Sequence, residues 1–140
     1  AYASQGTRLY PGDARRRATV RRIVSEVDGY TSEATDALIE ELLYVKPEAR
    51  DAARLEKARA GVADEFAFLA RYLEADFLAG PLSAADFALY PYVAFLDRCH
   101  QRVPTFDAER LLTPALAAWK RRIEALPYFG ETYPPHWRAA

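Results

Sequence analysis

Between Leu78 and Leu96 the sequence runs Leu-Ala-Gly-Pro-Leu-Ser-Ala-Ala-Asp-Phe-Ala-Leu-Tyr-Pro-Tyr-Val-Ala-Phe-Leu. No other stretch limits the fold so strongly. Ser83 and Asp86 have the spacing of a capping box, in which the hydroxyl accepts from the third helical N–H and the carboxylate reaches back to the Ser83 N–H. Leu82 and Phe87 fit the hydrophobic staple that accompanies such a box. Gly80 and Pro81 break whatever precedes, so a helix is predicted from Ser83 to about Arg98. Beyond Asp86, the residues Phe87, Leu89, Tyr90, Val93, Ala94, Phe95 and Leu96 fall on every face. A helix apolar all round is a buried helix. It is too short to span a bilayer, which needs about 20 apolar residues. The expected architecture is therefore all-α: a bundle of about five to six helices around this central one.

The chain has 140 residues, enough for one domain with a real core. It is 51% hydrophobic and 28% charged, the composition of a globular protein. A net charge of −1 argues against general nucleic-acid or anionic-membrane binding. The single cysteine, Cys99, rules out an internal disulfide and suits a reducing compartment such as the cytoplasm. No signal peptide or transmembrane run is visible. The lack of methionine is compatible with a processed start and equally with a piece of a longer chain.

Residues 1–12 read as a tail or linker, punctuated by Gly6, Pro11 and Gly12, ahead of a helical domain over 13–138. Asp13 can cap a helix carrying Val20, Ile23, Val24 and Val27 at helical spacing. Gly29 weakens or bends it, and a second pattern through Leu38 and Leu42 carries it to about Val45, where Pro47 ends it. Glu48–Phe77 reads as one long amphipathic helix, in which Gly61 marks close packing on a neighbour. Pro91 removes one hydrogen bond of the central helix, to Phe87, and bends it. After Pro104 comes a short turn near Asp107–Leu111. Thr113 then caps a last helix with Pro114 at its first position, and Leu112, Leu116, Trp119, Ile123 and Leu126 make one apolar face. Pro127 stops it. The aromatic, proline-rich tail Tyr128–Trp137 is expected to pack as extended chain.

Few residues suggest chemistry. Asp86 could serve as a general acid or base, but the capping box accounts for it fully. Cys99 and His100 point about 100° apart on a helix, and only His136 is left to complete a metal site, so a buried thiol beside a surface histidine is expected. No catalytic residue and no metal ligand is assigned. Arg15, Arg16, Arg17, Arg21 and Arg22 crowd a helix start, where the dipole favours anions. They read either as an anion site or as a solvated face balanced by Asp13, Glu26 and the acids that follow. Tyr10, Tyr30, Tyr44, Tyr128, Tyr133 and Trp137 could line an apolar cleft with hydroxyl handles or simply edge the core.

The stretch Phe77-Leu-Ala-Gly-Pro-Leu-Ser-Ala-Ala-Asp-Phe resembles the signature of the C-terminal helical domain of bacterial-type glutathione transferases. Leu9-Tyr-Pro-Gly-Asp13 resembles the entry to that domain. Pro114-Ala-Leu-Ala-Ala-Trp119 through Leu126-Pro-Tyr-Phe129 resembles its last long helix, and Thr132-Tyr-Pro-Pro-His-Trp-Arg138 the ending of bacterial members. The resemblance implies a chain that lacks the thioredoxin-like N-terminal half, its partner in the intact and usually homodimeric enzyme. That half binds the co-substrate glutathione and activates its thiol. By that likeness the chain alone binds no glutathione and is inactive by itself, and it contributes the apolar electrophile pocket. Arg22, Ser25, Glu26, Tyr30 and Trp137 are the candidate substrate contacts the family's layout implies, and no nucleic-acid or membrane partner is expected. Ser25 and Glu26 match, by offset, an acidic position that in some classes reaches glutathione across the dimer. Two other readings stand beside this one: a free-standing helical interaction module, and a non-catalytic binder of an apolar anionic small molecule anchored by the arginines.

Overall fold

In the computed structural model, residues 9–134 are described. They form an all-helical bundle: α1 (Ala14–Glu26), α2 (Ser32–Ile39), α3 (Ala52–Ala70), α4 (Ala84–Arg102), α5 (Pro114–Glu124) and the short α6 (Phe129–Thr132). Among the described residues the only extended pairing is two isolated bridges, Leu73 with Leu78 and Phe77 with Gly80.

Asp13 starts α1 by accepting from the Arg16 N–H at 2.8 Å. The arm then continues to Tyr44, as the two apolar patterns require. Its break at Gly29 is not a bend but a wide π-turn over Val27–Thr31, repeated over Glu40–Tyr44. Each widened turn inserts one residue, which keeps Val20, Ile23, Val27, Leu38 and Leu42 on a single buried side.

The predicted helix over Glu48–Phe77 is too long at both ends. Pro47–Ala49 is a separate 3₁₀ turn, and Asp51 caps α3 by accepting from the N–H groups of Ala53 and Arg54. Arg50 ties the connection back by donating to the carbonyls of Leu42 and Val45. At the other end the chain leaves α3 at Arg71 and folds into tight turns, with Ala79 at φ 57° and Gly80 at φ 101°. Those turns deliver Leu78, fully buried, to the start of α4. Gly61 does face α2, but a methyl group there would lie 4.0 Å from the Ala34 Cβ, an ordinary contact.

α4 runs one turn further than expected, to Arg102, and holds Pro91 in its interior. α1 packs on α4, α2 on α3, and α5 closes the far side. Leu89, Val93, Leu96 and Cys99 of α4 are buried against Val20, Ile23, Phe66, Leu116 and Trp119. The expectation that α4 is enclosed on every face is not met, because Phe87 is 37% exposed and Pro91 also faces outward. The Asp107–Leu111 turn shrinks to Glu109–Leu111, Thr113 caps α5 as expected, and the tail forms α6 rather than extended chain as far as it is described.

Candidate functional site

Two features converge at the start of α4. The first is Asp86, fully buried and saturated. Its Oδ1 accepts from the Leu78 N–H at 2.9 Å and from the Trp119 Nε1–H at 2.8 Å. Its Oδ2 accepts from the Ser83 N–H at 2.8 Å and from the Ser83 hydroxyl at 3.2 Å. The Ser83 hydroxyl in turn accepts from the Ala85 N–H. Burial raises the Asp86 carboxyl above the usual range, and the four donors only partly offset it. With every acceptor position occupied from inside, the group has no lone pair directed at a substrate. Its work is to fasten the preceding turn and α5 to α4.

The second is an apolar cleft of about 380 Å³ on the outward side of α4. Phe87, Pro91 and Phe95 stand one turn apart along α4 and form one wall. Ile123 and Leu126 from α5, with Tyr128, Phe129 and Tyr133 beyond it, form the other. Tyr90 lies between, edge-on to Phe129 with ring centres 5.5 Å apart, and Phe129 packs on Tyr133 at 6.1 Å. At one end the Tyr90 hydroxyl donates to Glu124 at 3.1 Å, and Lys120 bridges Glu124 and Asp97 at 3.0 and 2.8 Å. Burial and the Glu124 charge hold the Tyr90 phenol far above its ordinary value. Burial pulls Lys120 down, but its two carboxylate partners outweigh that and leave it raised. The network locks α4 to α5, and no charged residue lines the cleft, which offers aromatic faces and hydroxyls.

The residues named from sequence lie elsewhere. Arg22 pairs with Glu26 at 2.8 Å and sits over the Tyr72 ring at 5.9 Å. Glu26 Oε2 is buried without a hydrogen-bond partner. Burial and the charges of Glu26 and Asp64 raise Glu65 on α3. Ser25 is exposed, and Tyr30, 66% exposed, edges a groove between α2 and α3 with Glu33, Lys57 and Asp64. None of these four lines the cleft, and Trp137 lies outside the described residues. Of the tyrosines named for an apolar cleft, the structure brings together Tyr128 and Tyr133; Tyr10 stands beside Arg21 instead. Phe87, Tyr90 and Phe95 are expected from sequence to be buried rather than to line a cleft, because a helix apolar on all faces gives no hint of which face stays open. Cys99 is buried, and burial pushes its thiol up to about 11, so it is no nucleophile at neutral pH. Among the described residues no group of His, Cys, Asp and Glu is placed to hold a metal ion, and no helix is long and apolar enough to cross a membrane.

Several solved structures share the fold. The β-etherase LigF from Sphingobium sp. strain SYK-6 superposes with a TM-score of 0.71 at 21% identity, over 93% of this chain and 66% of that one. A glutathione S-transferase from Methylobacillus flagellatus KT, with glutathione bound, gives 0.67 at 25% identity, over 95% and 65%. A possible glutathione S-transferase from Rhodopseudomonas palustris gives 0.68 at 28% identity, over 99% and 64%. The chain thus spans slightly under two thirds of the length of each. No curated protein matches the sequence closely enough to count as similar. The family model described as glutathione S-transferase, C-terminal domain, matches residues 35–127, and the chain belongs to that family.

Proposed function

We propose that the chain is the helical half, over residues 13–138 with 1–12 as linker, of a cytoplasmic, homodimeric glutathione transferase. Its partner half is a thioredoxin-like domain that binds glutathione and lowers the pKa of its thiol, the general route to a thiolate nucleophile. The observation that carries this reading is the open aromatic cleft beside Asp86, in a chain of this family. A neutral cavity of this size suits a hydrophobic electrophile, which it would hold still while the thiolate attacks, so that orientation lowers the barrier. In this scheme the chain supplies position and desolvation, and no residue of it takes or gives the thiol proton. Arg22, Ser25, Glu26 and Tyr30 are proposed as polar contacts at the side where glutathione and a second subunit approach. The test is turnover of 1-chloro-2,4-dinitrobenzene with glutathione by the 140-residue chain. No rate above the uncatalysed reaction is expected. Robust turnover would overturn the placing of thiol activation in the other half.

A further inference from the structure

Pro91 stands in the interior of α4 and has no N–H to give. In an α-helix each carbonyl points along the axis at the N–H four residues on. The Phe87 carbonyl therefore points at a ring nitrogen that carries no hydrogen. Among the described residues no side chain, and no N–H from outside the helix, replaces the lost donor. The proline ring also crowds this carbonyl and tips it away from the axis. The face concerned is the one that α4 leaves open. Phe87 and Pro91 are both exposed and both line the cleft, one turn apart, so the carbonyl between them lies at its wall. It can only accept. Other polar groups there are already engaged: the Tyr90 hydroxyl donates to Glu124, and the Thr132 hydroxyl to the Phe129 carbonyl.

We infer that the Phe87 carbonyl, left open by Pro91, makes the cleft select aromatic compounds that carry an O–H or N–H donor on the ring. The inference rests on the cleft's proposed role in holding an aromatic electrophile and adds the class it prefers: phenols and anilines over the corresponding ethers and hydrocarbons. The ring packs among Phe87, Phe95 and Phe129, and the donor hydrogen meets the carbonyl at the wall. An empty cleft leaves that carbonyl to water. A bound hydrocarbon excludes the water and supplies nothing in return, so the acceptor is desolvated without a partner. A bound phenol completes the bond that Pro91 took from the helix. One hydrogen bond between neutral groups corresponds to about three- to tenfold in affinity, and the unpaired acceptor counts against the competitor. Selection here comes from a backbone atom, so no side-chain motif announces it.

Titration calorimetry of the 140-residue chain with 3-nitrophenol and 3-nitroanisole tests this at pH 6.5, where the phenol keeps its proton. The two probes differ in one donor hydrogen and one methyl group. The phenol is expected to bind about three- to tenfold more tightly. In Pro91→Val, which restores the helix N–H and keeps an apolar side chain of similar size, the two should bind within about twofold of each other, with far-UV circular dichroism confirming the fold. A second readout needs no variant. The Phe87 carbonyl carbon, observed through the Ala88 amide in a triple-resonance HNCO spectrum, should move with 3-nitrophenol beyond the shift that 3-nitroanisole produces. Equal affinities in the unaltered chain would overturn the inference, as would a preference that survives in Pro91→Val or equal carbonyl shifts. A preference lost in Tyr128→Phe or Tyr133→Phe with Pro91 in place would overturn it too, by moving the contact to a hydroxyl. Failure of both compounds to bind would overturn the proposed role of the cleft itself.

Discussion

Removing the Asp86 carboxylate tests whether this buried group is the fastener described above. In Asp86→Ala the N–H groups of Leu78, Ser83 and Trp119 lose their acceptor in a site from which water is excluded. Each unsatisfied buried donor costs about 1–3 kcal/mol. The Ser83 hydroxyl can turn elsewhere, and release of the buried charge returns part of the loss, since desolvation is what raises this carboxyl. The net cost is about 4 kcal/mol, or a fall in Tm of about 15 °C for a domain of this size. Asp86→Asn keeps one oxygen and should cost about 2–3 kcal/mol; Trp119→Phe strands no donor and should cost about 1–2 kcal/mol. Urea unfolding followed by circular dichroism, with constant m, gives the ranking. A group whose folded pKa is raised contributes its stability below the unfolded value, about 3.9, and loses it as pH climbs through the folded value. The gap between the native chain and Asp86→Asn should therefore be widest below about pH 4 and narrow toward neutrality. An Asp86→Ala cost below about 1 kcal/mol, or a gap that widens with rising pH, would refute the reasoning.

Three other outcomes follow from the same structure. Cys99 should resist iodoacetamide in the folded chain at pH 7.5 and react fully in 6 M guanidinium, because it is buried and its thiol is pushed up to about 11; stoichiometric labelling of the native protein within minutes would contradict this. Gly80→Ala should cost about 1–2 kcal/mol in urea unfolding although nothing lies within 4 Å of the added Cβ, since the backbone sits at φ 101° and the strain is conformational. Gly61→Ala should instead raise stability by up to about 1 kcal/mol, the helix-propensity difference, because its methyl meets Ala34 at ordinary distance; a loss would show that α2 and α3 pack more tightly than the 4.0 Å separation indicates.

Features written in local spacing were legible from the sequence. Ser83 and Asp86 announce their helix because a cap and its partner sit three residues apart, and Thr113 with Pro114 does the same for α5. What Asp86 does beyond capping was not legible, because its strongest partner, Trp119, is 33 residues away and only the folded bundle brings the indole N–H to it. The end of α3 was misread for a related reason. Leu73 and Phe77 continue the helical spacing of Leu69, yet the chain turns at Arg71 so that the Leu78 N–H can reach the carboxylate. Its start was misplaced because Pro47 marks the stop of the preceding helix and nothing local forbids a new one opening directly at Glu48, whereas a 3₁₀ turn intervenes and the effective cap is Asp51, whose own N–H is held by the buried Glu41. The cleft was hidden in the same way: hydrophobic periodicity reports that a face is apolar, not whether another element covers it.

Binding separates the cleft's proposed role from that of thiol activation most directly. Titration calorimetry of the 140-residue chain would compare 1,3-dinitrobenzene, an unreactive aromatic mimic of the electrophile, with glutathione alone, and repeat both on Ala94→Phe, which fills the cleft wall. The account predicts measurable binding of the aromatic compound, its loss in Ala94→Phe, and no binding of glutathione by either protein. Glutathione binding to the chain together with indifference to the aromatic compound would contradict it.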